Sequence, residues 1–180
     1  VLSGAPTPTG VNDGHIAYDD VVFMRQMYDA GLRNHCDAVA VHANISAPNA
    51  PDEEPNPAAG GRKHHWSFFF RRFEQIHDVM ADYGDGNKPI WFTEYGWPSS
   101  PDTWPDYAPG QISEDEQAQW LVRGFQIARA RGYVGPMMVW NLNYGPIAEA
   151  NDRWGKAAFC VLNREWQPRP AYHALAAMPK

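Results

Sequence analysis

One run holds most of the chain's chemical potential: Lys88-Pro89-Ile90-Trp91-Phe92-Thr93-Glu94-Tyr95-Gly96-Trp97-Pro98. An apolar strand ends there in a carboxylate, followed at once by Gly, Trp and Pro. Glutamate is a poor strand former, so its place at a strand end asks for a reason. Glu94 is either a solvated carboxylate opening a loop, or a nucleophile or base held at the mouth of a barrel. Other reactive residue types are less informative. His64 and His65 are adjacent, so they point apart in any regular structure and make a poor metal pair. Cys36 and Cys160 allow at most one bridge and form no CxxC pair, which reads as two buried thiols. No GxGxxG or GxxxxGK occurs, so a nucleotide-binding doubly wound domain has little support, and neither metal nor cofactor is expected. Asn44-Ile45-Ser46 fits a glycosylation sequon, which matters only in a secretory context.

Several elements must position these residues. Apolar residues recur at helical spacing in three segments: Phe23, Met27 and Ala30; Phe69, Phe73, Ile76, Met80 and Tyr83; Leu121, Phe125 and Ala128. Gly31, Gly84 and Gly132 follow them, where a left-handed residue closes a helix. Ser113-Glu114-Asp115-Glu116 fits a capping box, which predicts that the third helix starts close to Ser113. A fourth helix opens at Pro170 and runs through Ala171, Leu175 and Met178. Between the helices lie short apolar runs, Ala38 to Val41, Ile90 to Thr93 and Met137 to Trp140, which read as strands buried on both faces.

Strand alternates with helix, and Val1-Leu2-Ser3-Gly4 reads as the end of a further strand, entered in mid-fold with no charged leader or signal-like stretch. The pattern predicts an α/β fold of four βα units with parallel strands. Long loops leave the carboxyl ends of the strands, the face where α/β proteins place their chemistry. Trp97, Trp104, Trp154 and Trp166 sit in them, and the stretch near 43–65 is a polar excursion. Four such units in an open sheet leave edges unpaired and one face uncovered. A (β/α)8 barrel has eight units and usually about 250 residues, so the 180 residues look like a single half-barrel domain.

Composition narrows the partners. With 15 Lys+Arg against 21 Asp+Glu the net charge is −6, and no basic cluster exceeds Arg71-Arg72 or Arg62-Lys63. Nucleic acid is therefore not expected as a partner. No apolar run approaches the roughly 20 residues of a membrane span. Eight each of Trp, Tyr and Phe, with 15 Gly and 16 Pro, imply rigid loops that carry aromatic rings.

Phe92-Thr93-Glu94-Tyr95-Gly96-Trp97-Pro98-Ser99 resembles the nucleophile strand of the clan A glycoside hydrolases, which share the (β/α)8 barrel. Family 17 glucanases have a similar Glu-x-Gly-Trp-Pro-Ser run, and families 5 and 39 a similar Thr-Glu at the end of the seventh strand. Leu2-Ser3-Gly4-Ala5-Pro6-Thr7-Pro8-Thr9-Gly10 is similar to the fifth strand and its loop, Val41-His42 to the end of the sixth, and Val139-Trp140-Asn141 to the eighth. Pro168-Arg169-Pro170-Ala171-Tyr172 is similar to the start of the last helix in families 5 and 39. The resemblance implies the C-terminal half, strands 5 to 8, of a TIM (β/α)8 barrel from a retaining β-glycosidase or β-glycanase. It makes Glu94 the nucleophile, Trp140 the sugar platform, His42, Asn141 and Asn44 neighbours of the substrate, and Trp97 a lining residue.

The sequence departs from that pattern twice. Asn44 stands where related families often have Tyr, two residues after the sixth-strand His. The clan's acid/base Glu lies at the end of the fourth strand, commonly in an Asn-Glu pair, and no Asn-Glu dipeptide occurs here. Glu53, Glu54, Glu149 and Asp152 read as solvated loop acids. The resemblance thus implies a complementary N-terminal half-barrel chain or self-association. Its alternative is a non-catalytic half-barrel or sugar-binding domain that lacks the general acid/base.

Overall fold

The computed structural model describes residues 1–44, 49–60, 64–99, 112–144 and 155–179. The carboxyl-directed loops that hold Trp104, Glu149, Asp152 and Trp154, and the sequon residues Ile45 and Ser46, fall outside them. Three parallel strands form the sheet, in the order β1 (Val39–Asn44), β2 (Ile90–Gly96), β3 (Val134–Val139). Among the described residues four α-helices accompany them: α1 (Asp20–Asp29), α2 (Arg72–Asp82), α3 (Glu114–Arg129) and α4 (Pro170–Ala176).

The helix ends follow the sequence signals. Ser113 Oγ accepts from Glu116 N while the Glu116 carboxylate accepts from Ser113 N, so the capping box closes in both directions. Past α1 and α2, Gly31 and Gly84 turn left-handed, with φ of 97° and 70°. The apolar face of α1 differs from the expected one. Met24 and Tyr28 are buried, whereas Phe23 is 41% exposed, because the helix turns Tyr28 inward to hydrogen-bond buried Asp85. Helix α2 presents Phe73, Ile76 and Met80 to the core as the periodicity predicts.

The amino-terminal segment, expected as the end of a further strand, makes one parallel bridge beside β1, Leu2 to Ala38, with Ser3 N donating to Ala38 O. The Ser3 hydroxyl then accepts from Ala40 N, a position where a ladder uses a backbone carbonyl. Pro6 and Pro8 have no N–H with which to carry the ladder further.

Register sorts the side chains into two faces. Val39 pairs with Ile90, Val41 with Phe92 and Ala43 with Tyr95, and all six pack into the helix-covered core. Phe70 meets Phe92, Tyr95 and Trp97 there with ring centroids 5.7 Å apart in each pair. The opposite face carries Trp91 beside Ala40 and Glu94 beside His42. Strand β3 contains Pro136, and among the described residues no strand pairs with its second edge.

Candidate active site

Glu94 owes its orientation to an irregularity in β2. Simple alternation from Phe92 would turn Glu94 into the helix-covered core. Between Val41 and His42 the register shifts, so that Phe92 faces Val41 but Glu94 faces His42, leaving Thr93 as the extra residue. Thr93 and Glu94 are consequently both half-buried, between the fully buried Phe92 and Tyr95. The bulge re-aims the carboxylate to the open face at the carboxyl end of the strand.

His42 Nδ1 lies 3.8 Å from Glu94 Oε2, a close polar contact longer than a hydrogen bond. The two side chains are 20% and 29% exposed. Burial holds the His42 pKa below the ordinary histidine value, and the neighbouring Glu94 only partly opposes this. At neutral pH the ring is therefore neutral, able to donate from one nitrogen and accept at the other.

Trp140 follows β3 directly and is tied to the residues after Glu94. Its N–H donates to Tyr95 O at 2.8 Å, and its own carbonyl sits so close to Gly96 that a Cβ there would lie 2.6 Å from it. The ring is half-buried, and the Trp140–Asn141 peptide bond is cis. Asn141 is held by its surroundings: Nδ2 donates to Lys156 O at 3.3 Å, and Oδ1 accepts from Cys160 Sγ at 3.0 Å. Its side-chain amide thus ties the turn Lys156–Phe159 to the residue after Trp140.

Trp97 does not take the lining position expected of it. At 1% exposure it is part of the core, its Nε1 donating to Asn49 O at 2.9 Å and its ring meeting Tyr95 and Trp120. The reason is parity, since past the bulge Tyr95 and Trp97 both turn to the helices. Asn44 ends β1 in register with Gly96, but its side chain lies outside the described residues. Of the loop acids considered, Glu53 is exposed and Glu54 pairs with Arg71 at the surface. His65 caps a turn, its Nδ1 accepting from Ser67 N.

Two contributors escaped the sequence reading. Gly96 permits the close approach of Trp140, and its signal was a glycine inside a strand pattern. Cys160, read only as a buried thiol, bonds Asn141 and accepts from Tyr144 N at 2.9 Å.

No protein-family model matches the chain, and no curated protein sequence does. Solved structures are similar to it. A family 39 glycoside hydrolase from the gut symbiont Bacteroides cellulosilyticus WH2 superposes with a TM-score of 0.57 at 21% identity, over 86% of this chain and 29% of that one. A beta-glucuronidase of Faecalibacterium prausnitzii gives 0.51 at 18% identity, over 86% and 24%. The chain therefore spans under a third of the length of either hydrolase. The likeness is one of fold alone, consistent with a partial TIM barrel.

Proposed function

We propose that the chain is the nucleophile-bearing portion of a retaining glycoside hydrolase that acts on a β-linked glycan. The observation that carries this reading is the β2 bulge, which turns Glu94 to the open face beside His42, one strand away from Trp140. In the proposed reaction a Glu94 carboxylate oxygen attacks the anomeric carbon. The C–O bond to the leaving group breaks, a general acid protonates that oxygen, and a glycosyl ester forms. Water then cleaves the ester and regenerates the carboxylate. Trp140 stacks on the pyranose C–H face, neutral His42 hydrogen-bonds a hydroxyl, and Asn141 positions the Trp140 backbone.

Retention needs a second carboxyl about 5 to 5.5 Å from the first. We assign it to the portion that completes the barrel, whether a complementary N-terminal half or a second copy. Glu53 and Glu54 are turned to the surface, which also favours a second reading, a sugar-binding half-barrel without its acid. Assay of the 180-residue chain alone and with its completing half separates the two. In the completed protein, Glu94→Gln is expected to lower turnover of an aryl β-glycoside by more than about 10²-fold. Azide is expected to restore turnover to Glu94→Ala. Unchanged turnover in Glu94→Gln removes the assignment.

A further inference from the structure

Trp166 is the one non-glycine residue at positive φ among the described residues, at 61°, and it is 59% exposed. It occupies the tip of a small hairpin. Leu162 and Pro168 form an antiparallel bridge, Trp166 N donates to Asn163 O at 3.0 Å, and Gln167 N donates to the Asn163 side chain at 2.8 Å. A turn followed by a left-handed residue is the three-residue hairpin loop in which glycine is the easy choice. A bulky aromatic there strains the backbone and gains no burial in return. None of the ring contacts among the described residues involves it. Strain of this kind, kept on an exposed loop, points to a function.

The hairpin grows out of the candidate site. Val161 N donates to Asn141 O and Leu162 N to Leu142 O, so its base is hydrogen-bonded to the two residues after Trp140. Trp166 is the fifth residue after Val161, a reach of at most roughly 17 Å. Leu142, on the same ladder, is 55% exposed. Two exposed apolar side chains, Leu142 and Trp166, thus lie on segments that hydrogen-bond to each other directly after Trp140.

We propose that Trp166 is a distal stacking platform for a glycan chain, which makes the substrate class an extended oligo- or polysaccharide rather than a short glycoside. This rests on the glycosidase reading of Glu94 and Trp140. The test titrates the whole chain with cellobiose, cellohexaose, xylobiose and xylohexaose by calorimetry, for the wild type, Trp166→Gly and Trp166→Phe. The wild type is expected to bind a hexasaccharide more tightly than its disaccharide. Trp166→Gly should erase about tenfold of that advantage without changing disaccharide binding, and Trp166→Phe should keep most of it. Because glycine relieves the strain, Trp166→Gly should also melt a few degrees higher. Equal chain-length dependence in all three proteins overturns the platform and leaves the glycosidase reading standing, as does loss of self-association in Trp166→Gly with glycan binding intact. Failure of the wild type to bind either hexasaccharide also overturns the platform, whereas the glycosidase reading stands or falls on Glu94→Gln in the completed protein.

Discussion

At the scale of single residues, His42 couples the site to pH. Its folded-state pKa lies below the ordinary value because burial disfavours the imidazolium. The unfolded chain therefore takes up the proton first as pH falls. The contribution is complete above the unfolded value, about 6.5, and is lost as pH drops through the lower folded value. His42→Gln is expected to flatten that part of the stability profile, read from urea unfolding at a series of pH values. Superimposable profiles for the two proteins would contradict the assignment. The same residues show what sequence can reveal about a site. The types at 42, 94 and 140 stood out because polar or large aromatic groups end apolar runs. Which way each pointed depended on strand parity, and Thr93 shifts that parity by one without any mark in the residue pattern. That single step explains why Glu94 reaches the open face and why Trp97, expected to line the site, is core.

At the scale of elements, the helices were legible because their ends are written in local chemistry: the Ser113 capping box, the glycines after α1 and α2, and Pro170 at the first turn of α4. How far the amino-terminal strand end would pair was not, because strand pairing is decided by the partner. Leu2 finds Ala38, then Ser3 diverts the next bond to its hydroxyl. The junction of β2 and β3 is the most sensitive contact between elements at the site. Gly96→Ala would drive a Cβ to 2.6 Å from Trp140 O, so either β3 retreats or the Trp140 turn shifts. The expected cost is about 1–3 kcal/mol of stability, with weakened sugar binding. Calorimetric melting together with sugar titration measures both, and a protein unchanged in both respects would mean that the two strands separate freely at that end.

At the scale of the whole molecule, a buried ion cluster joins the first two helices. Arg72, 8% exposed, donates through Nε and Nη2 to Asp20, 3% exposed, and through Nη2 to Asp19 at 2.5 Å. Asp20→Ala leaves a guanidinium buried with reduced compensation, an expected loss of up to about 3–5 kcal/mol. The double variant Asp20→Ala with Arg72→Leu should lose less than the sum of the single losses, because the unpaired charge goes with it. Urea midpoints of the three variants check this, and strict additivity would show the groups to be uncoupled.

No described strand pairs with the second edge of β3. Exposed strand edges invite further chains to stack on them, since each N–H and C=O offers a ready bond. Pro136 interrupts the row of donors on the strand that bears this edge. Repeated stacking into fibres is disfavoured by such a gap, whereas one dedicated mate, shaped to do without that donor, can still seat there.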